Sequence, residues 1–375
     1  MLLVGSGLMI RSYRGLAAVH PGFDASNVLT FTLRPITSKY GNAEGVAGFF
    51  EQVRGRLEEL PGVSGAGGIN TLPLTGGGAI LTTVIEEFPP AEGEFPPVFL
   101  VRRTLPGYFE ALDVPVVEGR SFIPDDNSLR LGSVVISNSV KEQYWPNTSA
   151  LGKRIQVAGI PTTVVGVVGD VHDTSLDTPV EQFMYLPVLD SASGGAAQFR
   201  MTVRTDGDPL AMVAPIRNAI EQIDPDAPIS EMRTMEGVVA DSLDRTTFTM
   251  TLLGLGAVIA LFLGCVGIYG VISYIVGQRT AEIGVRMAMG ATPGSLGGLV
   301  LGQGMRLAGM GVALGLVAAW LLGRFIAALL YGVSPTDPVT LVGGSLVFLA
   351  VAGAATLVPA MRAARTPPAV ALRAE

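Results

Sequence analysis

The stretch Leu252–Val276, LLGLGAVIALFLGCVGIYGVISYIV, decides what kind of molecule this is. It lies within 33 residues between Arg245 and Arg279 that carry no charge. A hydrocarbon core about 30 Å thick needs roughly 20 apolar residues in a helix, so this segment reads as a membrane span. A second charge-free run of 24 residues separates Asp337 from Arg362 and reads the same way. Between them, Leu307–Gly323 offers 17 uncharged residues flanked by Arg306 and Arg324, whose long side chains can snorkel to the interfaces. For this shortest run a buried core helix is the alternative. Three spans are expected.

Charge orients them. The loop with Arg279 and Arg286 shares a side with the tail carrying Arg362, Arg365 and Arg373, whereas the opposite loop holds only Arg324 and Asp337. The arginine-rich side is cytoplasmic by the positive-inside rule. Residues 20–245 then lie outside the cytoplasm. This body is acidic: residues 1–250 carry 18 Lys+Arg against 29 Asp+Glu, a net of −11, while residues 251–375 carry 7 against 3, a net of +4. An acidic body excludes the basic stripe that nucleic acid requires. The overall charged fraction of 15%, with 49% hydrophobic residues, also excludes disorder.

At the N-terminus, MLLVGSGLMI is too short to span and has no basic region ahead of it, as a signal peptide would. Residues 1–19 read as the outer end of a first helix whose beginning is missing; a short interfacial anchor is the alternative.

The body alternates helix and strand signals. Ala47–Leu60 shows helical spacing stopped by Pro61-Gly62, and Pro209–Ile223 is amphipathic and ends at Asp224-Pro225. Ser133–Ser137, Thr162–Val168 and Met201–Arg204 read as strands, and Val140–Trp145 as a short helix. Stretches 86–97 and 190–195 read as surface loops, with a division into subdomains near 70–100. The expected fold is an α+β extracytoplasmic domain (20–245) joined to an all-α transmembrane domain (246–375) of three full helices plus the partial N-terminal helix.

Catalytic signatures are missing from the sequence. There is no G-x-x-x-x-G-K-[ST] to cradle a phosphate, no G-x-S-x-G and no Cys/His pair. Cys265 lies in an apolar run and reads as a small buried hydrophobe. His20 and His172 are far apart; Asp170, His172 and Asp173 could be imagined as metal ligands, but at strand spacing Asp173 points away from the other two, and a solvated strand end is the plainer reading. No catalytic, cofactor or metal residue is expected.

The informative polar segment is Gln278-Arg-Thr-Ala-Glu-Ile-Gly-Val-Arg-Met-Ala-Met-Gly-Ala291. As a helix it pairs Arg279 with Glu282 and Glu282 with Arg286, each pair worth about 0.2–0.5 kcal/mol, and puts Ile283, Met287 and Ala291 on an apolar face. Such a helix between two spans suits either docking of a cytoplasmic partner or simple interfacial anchoring.

The run R-x-x-E-I-G-V-R-M-A-M-G-A at 279–291 resembles the signature of MacB/FtsX-type ABC-transporter permeases. Further likenesses are Pro106-Gly-Tyr-Phe-Glu-Ala-Leu-Asp-Val-Pro115, Glu118-Gly-Arg-Ser-Phe122, Ile136-Ser-Asn-Ser-Val140, Leu151-Gly-Lys-Arg-Ile155, Val164-Val-Gly-Val-Val-Gly-Asp170, Tyr185-Leu-Pro187 and the ending Pro359–Arg373. Leu2–Thr30 resembles the start of the second copy in the duplicated permeases of acidobacteria, although this sequence holds one copy. The resemblance implies a multi-pass protein of the bacterial inner membrane with residues 20–245 in the periplasm. It also implies a cytoplasmic ABC ATPase subunit as partner, a second permease copy (homodimer or pseudo-dimer), contact with membrane lipid, no nucleic acid, no cofactor and no enzymatic activity of its own. Its coupling helix, over 279–291, would dock the ATPase through Arg279, Glu282, Ile283, Gly284, Arg286, Gly290 and Ala291, ahead of a cytoplasmic tail over 362–375. The motion would pass to the external domain by mechanotransmission, in efflux, export or lipoprotein handling. Gly264, Gly267, Gly270, Gly311 and Gly315 are candidates for close helix approach. A membrane-anchored binding or signalling module without an ATPase is the alternative function.

Overall fold

The computed structural model describes residues 1–126, 132–187, 198–279, 282–283, 285–286, 289, 291–326 and 330–365. The loop expected at 190–195, Gly284, Met287, Gly290 and most of the tail (366–375) lie outside them. The chain divides into two compact units: Val19–Leu243, and Met1–Ala18 together with the chain from Asp244 onward.

Among the described residues the first unit is built on eleven strands. Strands β1 (Val28–Leu33), β2 (Val63–Ile69), β10 (Phe199–Thr205) and β11 (Ile229–Thr234) form an antiparallel sheet in the order β11-β1-β10-β2. Alternate residues Leu29, Phe31, Leu33, Phe199, Met201 and Val203 point to one face. Helices α2 (Ala43–Glu58) and α5 (Val213–Ile223) cover that face with Phe49, Phe50, Val53, Ile216 and Ile220. Phe50 stacks edge-on to Phe199 at 4.8 Å between ring centroids. Helix α2 starts at Ala43, earlier than its apolar spacing predicts, because Asn42 accepts from the Gly45 N–H and caps it. The amphipathic run at 209–223 is likewise divided: Asp208 caps a 3₁₀ turn over Pro209–Met212 before α5 begins.

The remaining strands do something the alternation does not announce. Strands β3 (Ala79–Ile85), β4 (Val98–Thr104), β9 (Phe183–Pro187), β6 (Ser133–Ser137), β8 (Ile160–Val168) and β7 (Arg154–Val157) pair in that order, and β7 returns to β3. The ring is a closed six-stranded barrel, which leaves none of these strands with a bare edge along its paired length. Its interior holds Phe99, Val101, Ile136, Ile155, Val164 and Met184, with Trp145 following the short α4 (Asn138–Tyr144). Barrel and sheet are bridged by one residue pair, Ile69 with Thr104. The subdomain division near 70–100 is therefore half of the story: the chain enters the barrel after β2 and leaves it after β9, so the barrel is an insertion. Strand β5 (Val116–Gly119) adds to β8, and α3 (Tyr108–Ala111) packs on β2.

The second unit is helical. Helix α1 (Leu2–Ala17) precedes the first unit, and α6 (Met235–Gln278), α7 (Pro293–Ile326) and α8 (Pro338–Arg365) follow in the C-terminal third. Among the described residues three segments are long and apolar enough to cross a membrane: Thr246–Gln278, Gly294–Gly323 and Pro338–Arg362. The short middle run Leu307–Gly323 is thus the outer part of a longer apolar helix.

Candidate functional site

At the cytoplasmic side of the helical unit, the end of α6, the segment after it and the start of α7 enclose a groove of about 50 Å³. Its floor is apolar, from Ile275, Val276, Ile283, Leu296 and Val300, and its rim carries Arg279, Glu282 and Arg286. The local sequence explains the shape. The helical hydrogen bonding continues past α6, with Ile283 N–H donating to the Arg279 carbonyl at 2.9 Å and Arg279 N–H to that of Ile275. Thr292-Pro293 then starts α7, proline being suited to a first helical turn whose N–H groups lack partners. The Ser295 hydroxyl reinforces the turn by donating to the Thr292 carbonyl at 2.7 Å.

Of the residues singled out from the sequence, Ile283 packs against the cluster of Ile272, Val300 and Ala360. Arg286 Nη2 meets Glu282 Oε1 at 2.6 Å, one helical turn away, and both side chains are about half exposed. Ala291 closes the segment, its N–H donating to the Arg286 carbonyl at 3.0 Å. Gly284 and Gly290 lie outside the described residues. Met289, which the sequence does not single out, is 83% exposed on the same segment. A large apolar side chain in water beside a charged rim is the signal that marks it.

The candidate packing glycines divide. A Cβ built on Gly264 or Gly311 would lie 3.8 or 3.9 Å from the Phe348 ring, and one on Gly315 would lie 3.6 Å from the Met1 nitrogen. Around Gly267 and Gly270 there is open space. The tightest approach is at a position the sequence did not single out: a Cβ on Gly304 of α7 would lie 2.2 Å from Thr356 Cγ2 of α8.

In the strand-rich unit, Asp170, His172 and Asp173 do not converge. They follow the end of β8 at Val168 as a loop. Asp170 accepts from the Ser139 N–H, and His172 N–H donates to the Pro21 carbonyl. Asp173 is not at a solvated strand end: it is buried and holds Arg102, itself 1% exposed, through two charge-assisted hydrogen bonds. Arg102 also donates to the Gly77 carbonyl at 2.6 Å and lies over the Phe183 ring. Gly78, at φ +115°, leaves the space this guanidinium fills; a Cβ there would collide with it. Burial, above all, pushes the Asp173 carboxyl up to about 6; Arg102 pulls it down and Glu181 adds to the rise. Among the described residues no three His, Cys, Asp or Glu side chains gather as metal ligands would.

Comparison with known proteins matches residues 13–223 to the MacB-like periplasmic core domain and residues 254–368 to the FtsX-like permease C-terminal region. The chain is 29% identical over 275 residues to the pyoverdine export ATP-binding/permease protein PvdT of Pseudomonas savastanoi pv. phaseolicola, covering 70% of this chain and 40% of that protein. It is 26% identical over 277 residues to the macrolide export ATP-binding/permease protein MacB of Azoarcus sp., covering 72% and 41%. The chain thus spans about two fifths of the length of these relatives. Among solved structures, the periplasmic region of MacB from Actinobacillus actinomycetemcomitans aligns over 60% of this chain and 95% of its own, with 15% identity and a TM-score of 0.38.

Proposed function

Since the chain belongs to the family of the MacB-like periplasmic core domain, joined to an FtsX-like permease region, we propose that it is the permease component of an ABC exporter and receives its energy through the cytoplasmic groove. It is a multi-pass inner-membrane protein with a periplasmic domain. The observation that carries the functional reading is the groove at residues 275–303, where an apolar floor and a rim of two arginines and one carboxylate face the side where nucleotide is found. A partner ATPase would seat on this rim through Arg279, Glu282, Arg286 and Ala291, with Gly284 and Gly290 in the same segment. Ile283 ties the segment to α6, α7 and α8. A push on the rim would therefore be felt by all three helices, and in this reading the motion passes on to the periplasmic domain by mechanotransmission.

The ATP-binding half of the relatives is supplied, in this reading, by a separate chain or a segment beyond the residues at hand. A second permease copy would complete the transporter, with Gly264, Gly267, Gly270, Gly311 and Gly315 permitting close helix approach within or between copies.

Co-expression with its ATPase and purification in detergent tests the assignment. Glu282→Lys turns the rim wholly positive and should abolish stimulation of ATP hydrolysis while leaving the circular dichroism of the strand-rich domain unchanged. Full stimulation in that variant, or failure of any ATPase to bind the wild-type chain, would sink the docking assignment and favour a binding or signalling module.

A further inference from the structure

The three helices of the second unit that meet in the outer leaflet leave a space that the transport reading does not use. Helices α7 and α8 are tight at their cytoplasmic halves, where Gly304 admits Thr356. Toward the periplasmic side α1 wedges between them: Val4 and Leu8 pack against Ala319 of α7 and Leu341 of α8. A cleft of about 380 Å³ opens between the two helices on this side. Its walls are Val312, Leu316 and Trp320 of α7 and Leu341, Val342 and Leu346 of α8. Trp320 remains 69% exposed toward the bilayer. Pro335 and Thr336 close the outer end.

The chemistry at that end is polar and fixed. Asp337, adjoining Thr336, caps α8 by accepting from the Thr340 N–H and hydroxyl at 2.9 and 2.7 Å. It also binds Arg11 Nη1 at 2.7 Å. Arg11 is half exposed, and a guanidinium has five N–H donors, so one bond to Asp337 leaves the group open to a phosphate oxygen. Trp320 supplies the ring typical of the membrane interface.

We propose that this cleft is a phospholipid site: one acyl chain of an outer-leaflet lipid lies between α7 and α8, with its phosphate on Arg11. The size selects the occupant. A helix with side chains is about 10–12 Å across and cannot enter a space of this volume, whereas a single hydrocarbon chain can. The donors select the head: the half-exposed Arg11 guanidinium, held by Asp337 next to Thr336 at the outer end of the apolar slot, has N–H groups to offer the phosphate of an amphiphile whose tail is apolar. The inference stands independently of the ATPase assignment, since neither residue set overlaps the other.

The chain contains two tryptophans, and one of them lines the cleft, which provides a direct readout. The full-length protein in detergent is titrated with phosphatidylglycerol brominated on its acyl chains, and the Trp320→Phe variant supplies the background from Trp145. Quenching should saturate at one lipid per chain. Ser345→Phe fills the cleft from α8 and should remove the saturable component; Val342→Phe, on the rim, is the second filling variant should the first not fold. Arg11→Gln should raise the half-saturating lipid concentration roughly fivefold, and Arg11→Lys should restore it. Brominated diacylglycerol, with the same tails and no phosphate, should behave toward the wild type as phosphatidylglycerol does toward Arg11→Gln. Quenching that rises linearly with lipid overturns the proposal. So does a saturable component that survives both filling variants, or one that ignores Arg11.

Discussion

The two units use the same residue types in opposite places. In the strand-rich unit the fully buried positions are large: Phe31, Phe50, Phe109, Phe183 and Phe199 are all inside. In the helical unit the buried positions are mostly small, including Ala257, Ala308, Ala319, Ala352, Ala360 and Thr356, while Phe248, Phe262, Leu314 and Trp320 face outward. Water drives large apolar side chains together, because their removal from solvent is favourable in proportion to area. Lipid gives no such drive, since a tail is as apolar as leucine; helices gain by approaching closely, and small residues permit that. The position of phenylalanine thus reports the solvent, and the buried small residues mark the contacts between helices.

The comparison breaks most visibly at Phe50. Truncation to Ala removes the ring that α2 projects edge-on against Phe199 of the sheet, and should cost about 3–5 kcal/mol. Hydrogen exchange of the β10 amides in the full chain reads the loss; protection within a factor of two of wild type would show that the sheet is not held by this core.

How much of this was legible follows the same division. Runs of 33 and 24 uncharged residues are long enough to be read directly as spans, whereas the 17-residue middle run left a buried core helix open, because its helix extends back through Arg306 to Gly294. Ser133–Ser137 and Thr162–Val168 were visible as strands because their β-branched residues are uninterrupted. Strand β4 was hidden by Arg102 and Arg103, a charged pair next to the end of a mostly buried strand. The burial of Arg102 depends on Asp173, 71 residues away, and on the gap left by Gly78; neither is a local signal. Barrel closure was equally invisible, since it depends on the parallel pairing of β4 with β9 and of β6 with β8. At the candidate docking segment the Glu282–Arg286 pair was readable from helical spacing, whereas the apolar floor comes from helices brought together only by folding.

A smaller effect sharpens the contrast through charge. The folded chain holds the Asp173 proton more tightly than the unfolded chain, because the folded value lies at about 6 against 3.8. The stability that this group contributes is therefore full below the unfolded value and is lost as pH rises through about 6, a swing on the order of 3 kcal/mol. Asp126 behaves oppositely. Burial pushes it up, but Arg120, the Ile123 N–H and the Ser133 hydroxyl together outweigh that and hold it below 3.8, so its contribution is present above that value and falls away in acid. In Asp173→Asn the decline in unfolding free energy between pH 4 and 6 should flatten. A slope unchanged from wild type would mean that Arg102 keeps the carboxylate charged throughout.

The smallest effects belong to the helical unit, and their rank there should invert that of the aqueous core. Gly304→Val adds only two methyl groups and a Cβ, yet the Cβ would meet Thr356 at 2.2 Å, so α7 and α8 must separate. Overpacking of this kind costs about 1–3 kcal/mol. Phe262→Ala removes a whole ring, but one that is 67% exposed to lipid in a single copy, so the helix loses little and the change should stay within about 0.5 kcal/mol. Thermal unfolding in detergent, followed by the fluorescence of Trp320, compares the two. If Phe262→Ala proves the more damaging, its ring is buried in the assembled protein, and the outer half of α6 is a surface on which a second copy of the permease sits.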